Sequence, residues 1–368
     1  MVPKKGLEPS QYCYHTDLNR ARLPIPPLGH TIMIAFLTQH RPLVKENRFA
    51  DNSAMNEAEN ILVIKLGALG DFVQALGAMA AIRRYHPAAQ ITLLTTAPFL
   101  NFAKASGYFD HIWIDERPKK TDIKGWLSLR KRLIGGRFSR VYDLQNSDRT
   151  ALYLKLFTLA RKPEWVGAAA GASHRNASPQ RTAGTSLEGH IQTLALVGIQ
   201  DIQVDDLRWI EGDLSRFSLP SPYVLIVAGS SPDHPEKRWN AKKYGEIARI
   251  VYGWGFQPVI LGTLDEKEAA DTIKSVFPQA LDLTGQTTLF DIAVLGRHAA
   301  AAIGNDTGPM HIIAPTGCPS WVLFSKHGNP RRHAAPGAHV RTVQIDDLAD
   351  LSVAKVMETI TMRDFRNQ

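Results

Sequence analysis

Three short segments place glycine, small polar and charged residues directly after apolar runs. The first is Ile61-Leu62-Val63-Ile64-Lys65-Leu66-Gly67-Ala68-Leu69-Gly70-Asp71-Phe72. Lys65 ends the apolar run, and Gly67 and Gly70 let backbone amides approach a ligand where a helix begins. Asp71 falls in the first helical turn. It serves there either as an N-cap or as a carboxylate at a strand end, able to accept a proton as general base. The second segment is Val227-Ala228-Gly229-Ser230-Ser231, followed by Pro235-Glu236-Lys237-Arg238-Trp239. Gly229 and Ser230 leave room for a ligand. Lys237 or Arg238 could neutralise a phosphate, or both could belong to a solvated loop. The third is Ile303-Gly304-Asn305-Asp306-Thr307-Gly308-Pro309-Met310-His311. Asn305, Asp306 and Thr307 offer caps and donors, and Pro309 suits a first helical turn. Free amides at that helix start would hold an anion; the plainer reading is a capped turn.

Other chemistries lack their residues. No Gly-Lys-Ser/Thr follows the first loop, and it is not Gly-x-Gly-x-x-Gly. There is no His-Glu-x-x-His, no Gly-x-Ser-x-Gly and no zinc-ligand spacing. The two cysteines, Cys13 and Cys318, exclude a disulfide scaffold and a four-cysteine zinc site. Cys318 reads as a small buried residue.

The elements needed to position the three segments are legible as a rhythm. Strands are expected at Ile61–Leu66, Ile91–Thr95, Ile112–Ile114 and Arg140–Leu144, with helices at Asp71–Tyr85, Trp126–Ile134 and Ala151–Leu159. Residues 168–186 read as loop, and Leu187–Leu196 as helix. The alternation restarts with strands at Tyr223–Ala228, Pro258–Leu261, Leu281–Leu283, Ala299–Ile303 and Ser320–Phe324. Helices are expected at Ala241–Tyr252 and Glu266–Val276, with a terminal helix over Leu351–Phe365. This is the pattern of an α/β protein with two doubly wound halves. Ligands bind beyond the carboxyl ends of such strands, here in the cleft between the halves. We divide the chain into an irregular extension at 1–54, an N-terminal domain at 55–210, a C-terminal domain at 211–350 and a helix at 351–368. Met55 is a candidate true start, because Pro3, Pro9, Pro24, Pro26, Pro27 and Pro42 interrupt everything before it.

The 368 residues carry 44% apolar and 21% charged side chains, which excludes collagen-like and largely disordered chains. The net charge of +8 fits nucleic acid, an anionic membrane face or an acidic substrate without choosing among them. Basic residues concentrate at Arg117, Lys119, Lys120, Lys124, Arg130, Lys131, Arg132, Arg137 and Arg140, against Glu116 and Asp122. Singly they read as a solvated face, and together as a landing patch for an anionic membrane or acidic acceptor. Neither interleaved aromatics nor a reader module accompanies them, so nucleic acid is not expected. No apolar run reaches the length that spans a bilayer.

Taken in order, the segments resemble glycosyltransferase family 9, the lipopolysaccharide heptosyltransferases. Lys65–Asp71 is similar to that family's opening loop, and Pro235–Trp239 to its Lys-x-Trp stretch. Leu261-Gly262-Thr263 with Glu266 and Glu268, Leu283-Thr284-Gly285-Gln286-Thr287-Thr288-Leu289, and Gly304–His311 resemble three further family runs. Gly67-Ala68 stands where serines are usual, and Ser325-Lys326-His327-Gly328 where a Gly-Pro-Thr-like turn is usual.

The resemblance implies a GT-B fold of two Rossmann-like domains and an inverting, metal-independent transfer of heptose from ADP-heptose to an acidic lipopolysaccharide core acceptor. Asp71 would be the base. Lys237 would hold the donor phosphates, Asp306 the sugar, and Thr307 and Gly308 the diphosphate. His311, Gly229 and Ser230 would also lie against the donor, and Glu266 or Glu268 would face ribose or adenine. Lys65, Gly67 and Gly70 would shape the acceptor loop. No cofactor is implied; the nucleotide sugar is a substrate. The setting would be cytoplasmic, peripheral to the inner face of the inner membrane. Another donor or acceptor, an epimerase-like enzyme, or a nucleotide-sugar binder without catalysis remain open alternatives. The oligomeric state is not specified.

Overall fold

The computed structural model describes residues 59–157, 162–230 and 234–365. The extension at 1–54, Met55 and Ser231 lie outside them, as do positions 158–159 of the expected third helix.

In the first half, six strands alternate with five helices: β1 (Asn60–Ile64), α1 (Leu69–Tyr85), β2 (Gln90–Thr95), α2 (Leu100–Ser106), β3 (His111–Ile114), α3 (Ile123–Gly135), β4 (Arg140–Asp143), α4 (Asp148–Leu156), β5 (Glu164–Gly167), β6 (His174–Arg175) and α5 (Ser186–Ala195). The sheet order is β3-β2-β1-β4-β5-β6, and its strand pairs are parallel. The second half comprises β7 (Tyr223–Val227), α6 (Ala241–Gly253), β8 (Gln257–Ile260), α7 (Lys267–Val276), β9 (Leu281–Asp282), α8 (Leu289–His298), β10 (Ala301–Asn305), α9 (Gly308–Ile313), β11 (Ser320–Phe324), α10 (Pro330–His333), β12 (Val340–Gln344) and α11 (Val353–Glu358). Its order is β12-β11-β10-β7-β8-β9, again parallel. Both sheets lie in one compact unit, Asn56–Gln368.

Parallel strands covered on both faces must be apolar throughout. Ile61 to Ile64 are each fully buried, and so are Val224, Leu225 and Ile226. Helix α1 is unusual in burying every residue from Phe72 to Met79. One side of it lies on the first sheet, where Phe72 stacks on Phe99 at 4.6 Å between ring centroids. The other meets the second half, so a single apolar cluster runs from Ile61 and Phe72 through Ile292 and Met310 to Val322. Phe102 contacts both Trp209 of the connecting segment and Phe290 of α8, edge to face. Gly77 is required where α1 passes the connection, because a Cβ there would meet the Gln203 carbonyl oxygen at 1.8 Å.

Three expectations need correction. The terminal helix does not run from Leu351 to Phe365: α11 is six residues long, and a separate 3-10 turn covers Met362–Phe365. Glycine-free but polar, Thr359-Ile360-Thr361 interrupts it with β-branched residues that lose rotamer freedom in a helix. The loop expected at 168–186 contains β6, a two-residue strand, and the amide of Asn176 just after it bonds the Gly167 carbonyl. Strands β5 and β12 were not expected at all; both pair at the margins of their sheets and are short enough that no alternation develops.

Candidate active site

The carboxyl ends of β1 and β10 face each other across the halves, and each is followed by a glycine-bearing turn and a helix. After β1 the chain turns at Gly67, whose φ of +117° is a region that side chains rarely adopt. Helix α1 then starts with Ala68 as N-cap, and no side chain caps it. Asp71 therefore does not serve as the cap. It sits half-exposed in the first turn, and its carboxylate accepts no hydrogen bond from a described residue.

Opposite, Lys237 Nζ donates to Asp306 Oδ2 at 2.9 Å. His311 Nε2 lies 3.8 Å from Asp306 Oδ1, and His311 Nδ1 is 3.3 Å from Gln74 Nε2 of α1. Burial pushes the Asp306 carboxyl up, but His311 and Lys237 outweigh it and hold the group below its usual value. Asp306 is thus a carboxylate pre-set by cations. The helices approach closely at this point: a Cβ on Gly70 would meet His311 at 2.7 Å, and one on Gly308 would meet Leu69 at 2.8 Å. Glycines at both places allow the turns after β1 and β10 to touch.

Two cavities open on either side of this pinch and share Ala68, Gly70, Thr307 and Gly308. The larger, about 720 Å³, is bounded by Gly229, Ser230, Leu261, Gly262, Thr263, Glu266, Gly285, Thr287 and Leu289. It is the volume class of a nucleotide-sized ligand. The smaller, about 270 Å³, gathers Asp71, Gln74, His234, Lys237, Asp306, His311 and His333.

Other expected residues distribute around these cavities. Ser230 Oγ donates to the His234 carbonyl at 2.9 Å and accepts from Arg238 Nε at 3.0 Å, so the turn is braced from within. Glu266 closes a capping box on Thr263, its Oε2 accepting from the Thr263 amide and hydroxyl, each at 2.6 Å. Glu268 does not line the large cavity; it lines an adjoining depression that shares Gly229, Asp265 and Glu266 with it. Lys65 is buried and donates to the Leu144 carbonyl at 3.3 Å. Burial lowers its pKa, against the attraction of Asp71 and Asp143.

Asn305 is neither cap nor exposed donor. It is fully buried, donates to Ala228 and Gly229 carbonyls, and accepts from the Trp239 amide and the Tyr244 hydroxyl. It ties together the turns after β7 and β10. Helix α9 has only six residues and Thr307 makes no side-chain cap, so the cation available to a phosphate here is Lys237 more than a helix dipole. Sequence reasoning missed Gln74, His234 and His333. A signal existed for Gln74, which is a lone amide in an otherwise apolar helical run. Among the described residues, no three His, Cys, Asp or Glu side chains gather as metal ligands.

Residues 197–353 match the model of the glycosyltransferase family 9 (heptosyltransferase) sequences. The chain is 24% identical over 301 residues to the lipopolysaccharide core heptosyltransferase OpsX of Haemophilus influenzae, covering 75% of this chain and 81% of that protein. The second half of the chain carries the family 9 sequence pattern, and most of the chain is similar to a family heptosyltransferase. These similarities make it a glycosyltransferase. Its fold is the family's GT-B architecture. The E. coli ADP-heptose LPS heptosyltransferase II superposes with a TM-score of 0.64 at 21% identity, covering 81% of this chain and 96% of that one. A family 9 glycosyltransferase from Veillonella parvula gives 0.70 at 18% identity, covering 84% and 98%.

Proposed function

We propose that this glycosyltransferase transfers heptose from ADP-heptose to a hydroxyl of an acidic lipopolysaccharide core acceptor, with inversion and without a metal ion. The observation that carries the reading is Asp71, a carboxylate without a hydrogen-bond partner among the described residues, in one small cavity with Lys237, Asp306 and His311. Its relative OpsX is a lipopolysaccharide core heptosyltransferase, which supports the donor and acceptor classes.

In this reading the nucleoside occupies the larger cavity, with Glu266 at its wall, and the diphosphate crosses the Gly70–Gly308 pinch toward Lys237. The sugar reaches the smaller cavity beside Asp306. Asp71 takes the proton of the acceptor hydroxyl as that oxygen attacks the anomeric carbon. The bond to the diphosphate breaks on the opposite face, so one base suffices and the configuration inverts. Negative charge grows on the leaving ADP, and Lys237 stabilises it. Gly229 and Ser230 keep backbone close to the donor, and Lys65, Gly67 and Gly70 shape the loop under the acceptor. A lipid-anchored acceptor and a dissolved donor meet at the cytoplasmic face of the inner membrane. No helix among the described residues is long and apolar enough to cross a membrane.

The test is to incubate the protein with ADP-heptose and inner-core acceptor, follow ADP release and determine the anomeric configuration of the product. Stoichiometric ADP release with an inverted linkage is expected, undiminished by chelator. ADP release without a glycosylated product, or a retained configuration, contradicts the reading.

A further inference from the structure

Helix α3 carries an outward face that the fold does not use. It buries Leu129 and Leu133. One turn apart on its outer side, Ile123 is 71% exposed and Leu127 59% exposed, and Leu152 of the adjoining α4 is 42% exposed. Lys119, Lys120, Lys124, Arg130 and Lys131 are also exposed around this pair, and none forms an ion pair with a described residue. The platform beneath is rigid. Asp122 caps α3 by accepting from the Gly125 amide at 2.9 Å. Trp126 Nε1 donates to the Lys119 carbonyl at 3.0 Å, its ring meets Tyr153 edge to face, and Arg149 both lies over that ring and donates to the Pro118 carbonyl.

Topology places this face usefully. Strands β1 and β3 belong to one parallel sheet, so the turn into α3 and the turn carrying Asp71 leave the same edge of it. We propose that the start of α3 docks on an anionic phospholipid bilayer, with Ile123 and Leu127 entering the interface and Lys119, Lys120 and Lys124 on the headgroups. Protruding aliphatic side chains ringed by lysine match an interfacial helix. Protein interfaces are depleted in lysine and built on aromatic anchors, and the aromatic residue here, Trp126, is already engaged inward. The inference goes beyond the transfer chemistry and holds whichever sugar is moved.

The experiment uses the full chain, without donor or acceptor, and measures co-sedimentation with vesicles of phosphatidylcholine alone or mixed with phosphatidylglycerol. Binding to the mixed vesicles only, weakened by salt, is expected. Ile123→Ser with Leu127→Ser should weaken it by roughly tenfold or more. Replacing Lys119, Lys120 and Lys124 by Gln should weaken it by about fivefold each, on the order of a hundredfold together. Both variants should keep the wild-type melting temperature and turn over a delipidated, water-soluble acceptor normally. Equal binding to both vesicle types, no binding to either, or undiminished binding by both variants overturns the proposal. So does loss, in these variants, of binding to a nucleic-acid duplex when no vesicle is bound.

Discussion

At the residue scale, the buried charges beneath the cleft set a pH signature. Burial drives the Asp143 carboxyl up to about 6 and the His190 imidazole down to about 3. The unfolded chain binds a proton at His190 near pH 6.5 while the folded chain does not, so stability from this group is lost as pH falls from 6.5 toward 3. Asp143 acts oppositely: the folded chain keeps its proton up to about 6, so its stabilisation is lost as pH rises from about 4 through 6. The two slopes cancel in the wild type between about pH 4 and 6. In His190→Gln only the Asp143 slope survives. Urea unfolding of this variant should lose about 1.4 kcal/mol per pH unit relative to wild type as pH rises across that window. Parallel curves for the two proteins would refute the assignment. Lys237 makes a second prediction: Lys237→Met should lower kcat/KM by about a hundredfold or more, because charge on the departing diphosphate loses its cation. A value near wild type in steady-state kinetics would remove Lys237 from the reaction.

At the element scale, α1 does two jobs that glycine substitutions separate. Gly77 faces the connecting segment, where a Cβ would meet Gln203 O at 1.8 Å. Gly77→Ala should cost about 1–3 kcal/mol, seen as a lower melting temperature, with activity at low temperature kept. Gly70 faces His311 across the pinch at 2.7 Å. Gly70→Ala should displace α1 from α9 and depress kcat by tenfold or more with a smaller effect on melting. Calorimetry alongside kinetics decides; identical losses in both variants contradict the division. The sheets were legible because β1, β7 and β10 are short continuous apolar runs ended by glycine turns. Strand β5, Glu-Trp-Val-Gly, carries too few residues to show a period, and β12, Val-Arg-Thr-Val-Gln, is mostly polar and shows no strand alternation. The three turns that build the cavities were found because each sets glycine and small polar or charged residues directly after an apolar run. Gln74, His234 and His333 escaped because their roles arise from contacts between elements far apart in sequence. The cap reading of Asp71 was settled only by where the helix begins, two residues earlier than its apolar spacing suggested.

At the scale of the whole molecule, the account rests on two halves closing one divided cleft, with the base on one side and the donor cations on the other. A donor that fits the larger cavity stabilises the folded chain by mass action. ADP at a hundredfold excess over its Kd should add about 2.7 kcal/mol, read as a raised melting temperature, while equal UDP or GDP should add less. Equal shifts from all three would separate the cavity from an adenine nucleotide. Charge now has a distribution as well as a sum: part of the +8 lies at Lys237 in the cleft and part on the outer face of α3. The most direct measurement is the transfer rate of Asp71→Asn with saturating ADP-heptose and core acceptor, beside its melting temperature. The account predicts a kcat lower by about 10² to 10⁴, the range of a lost general base, with unchanged melting because Asp71 caps nothing. Transfer at the wild-type rate by a folded Asp71→Asn protein would contradict it.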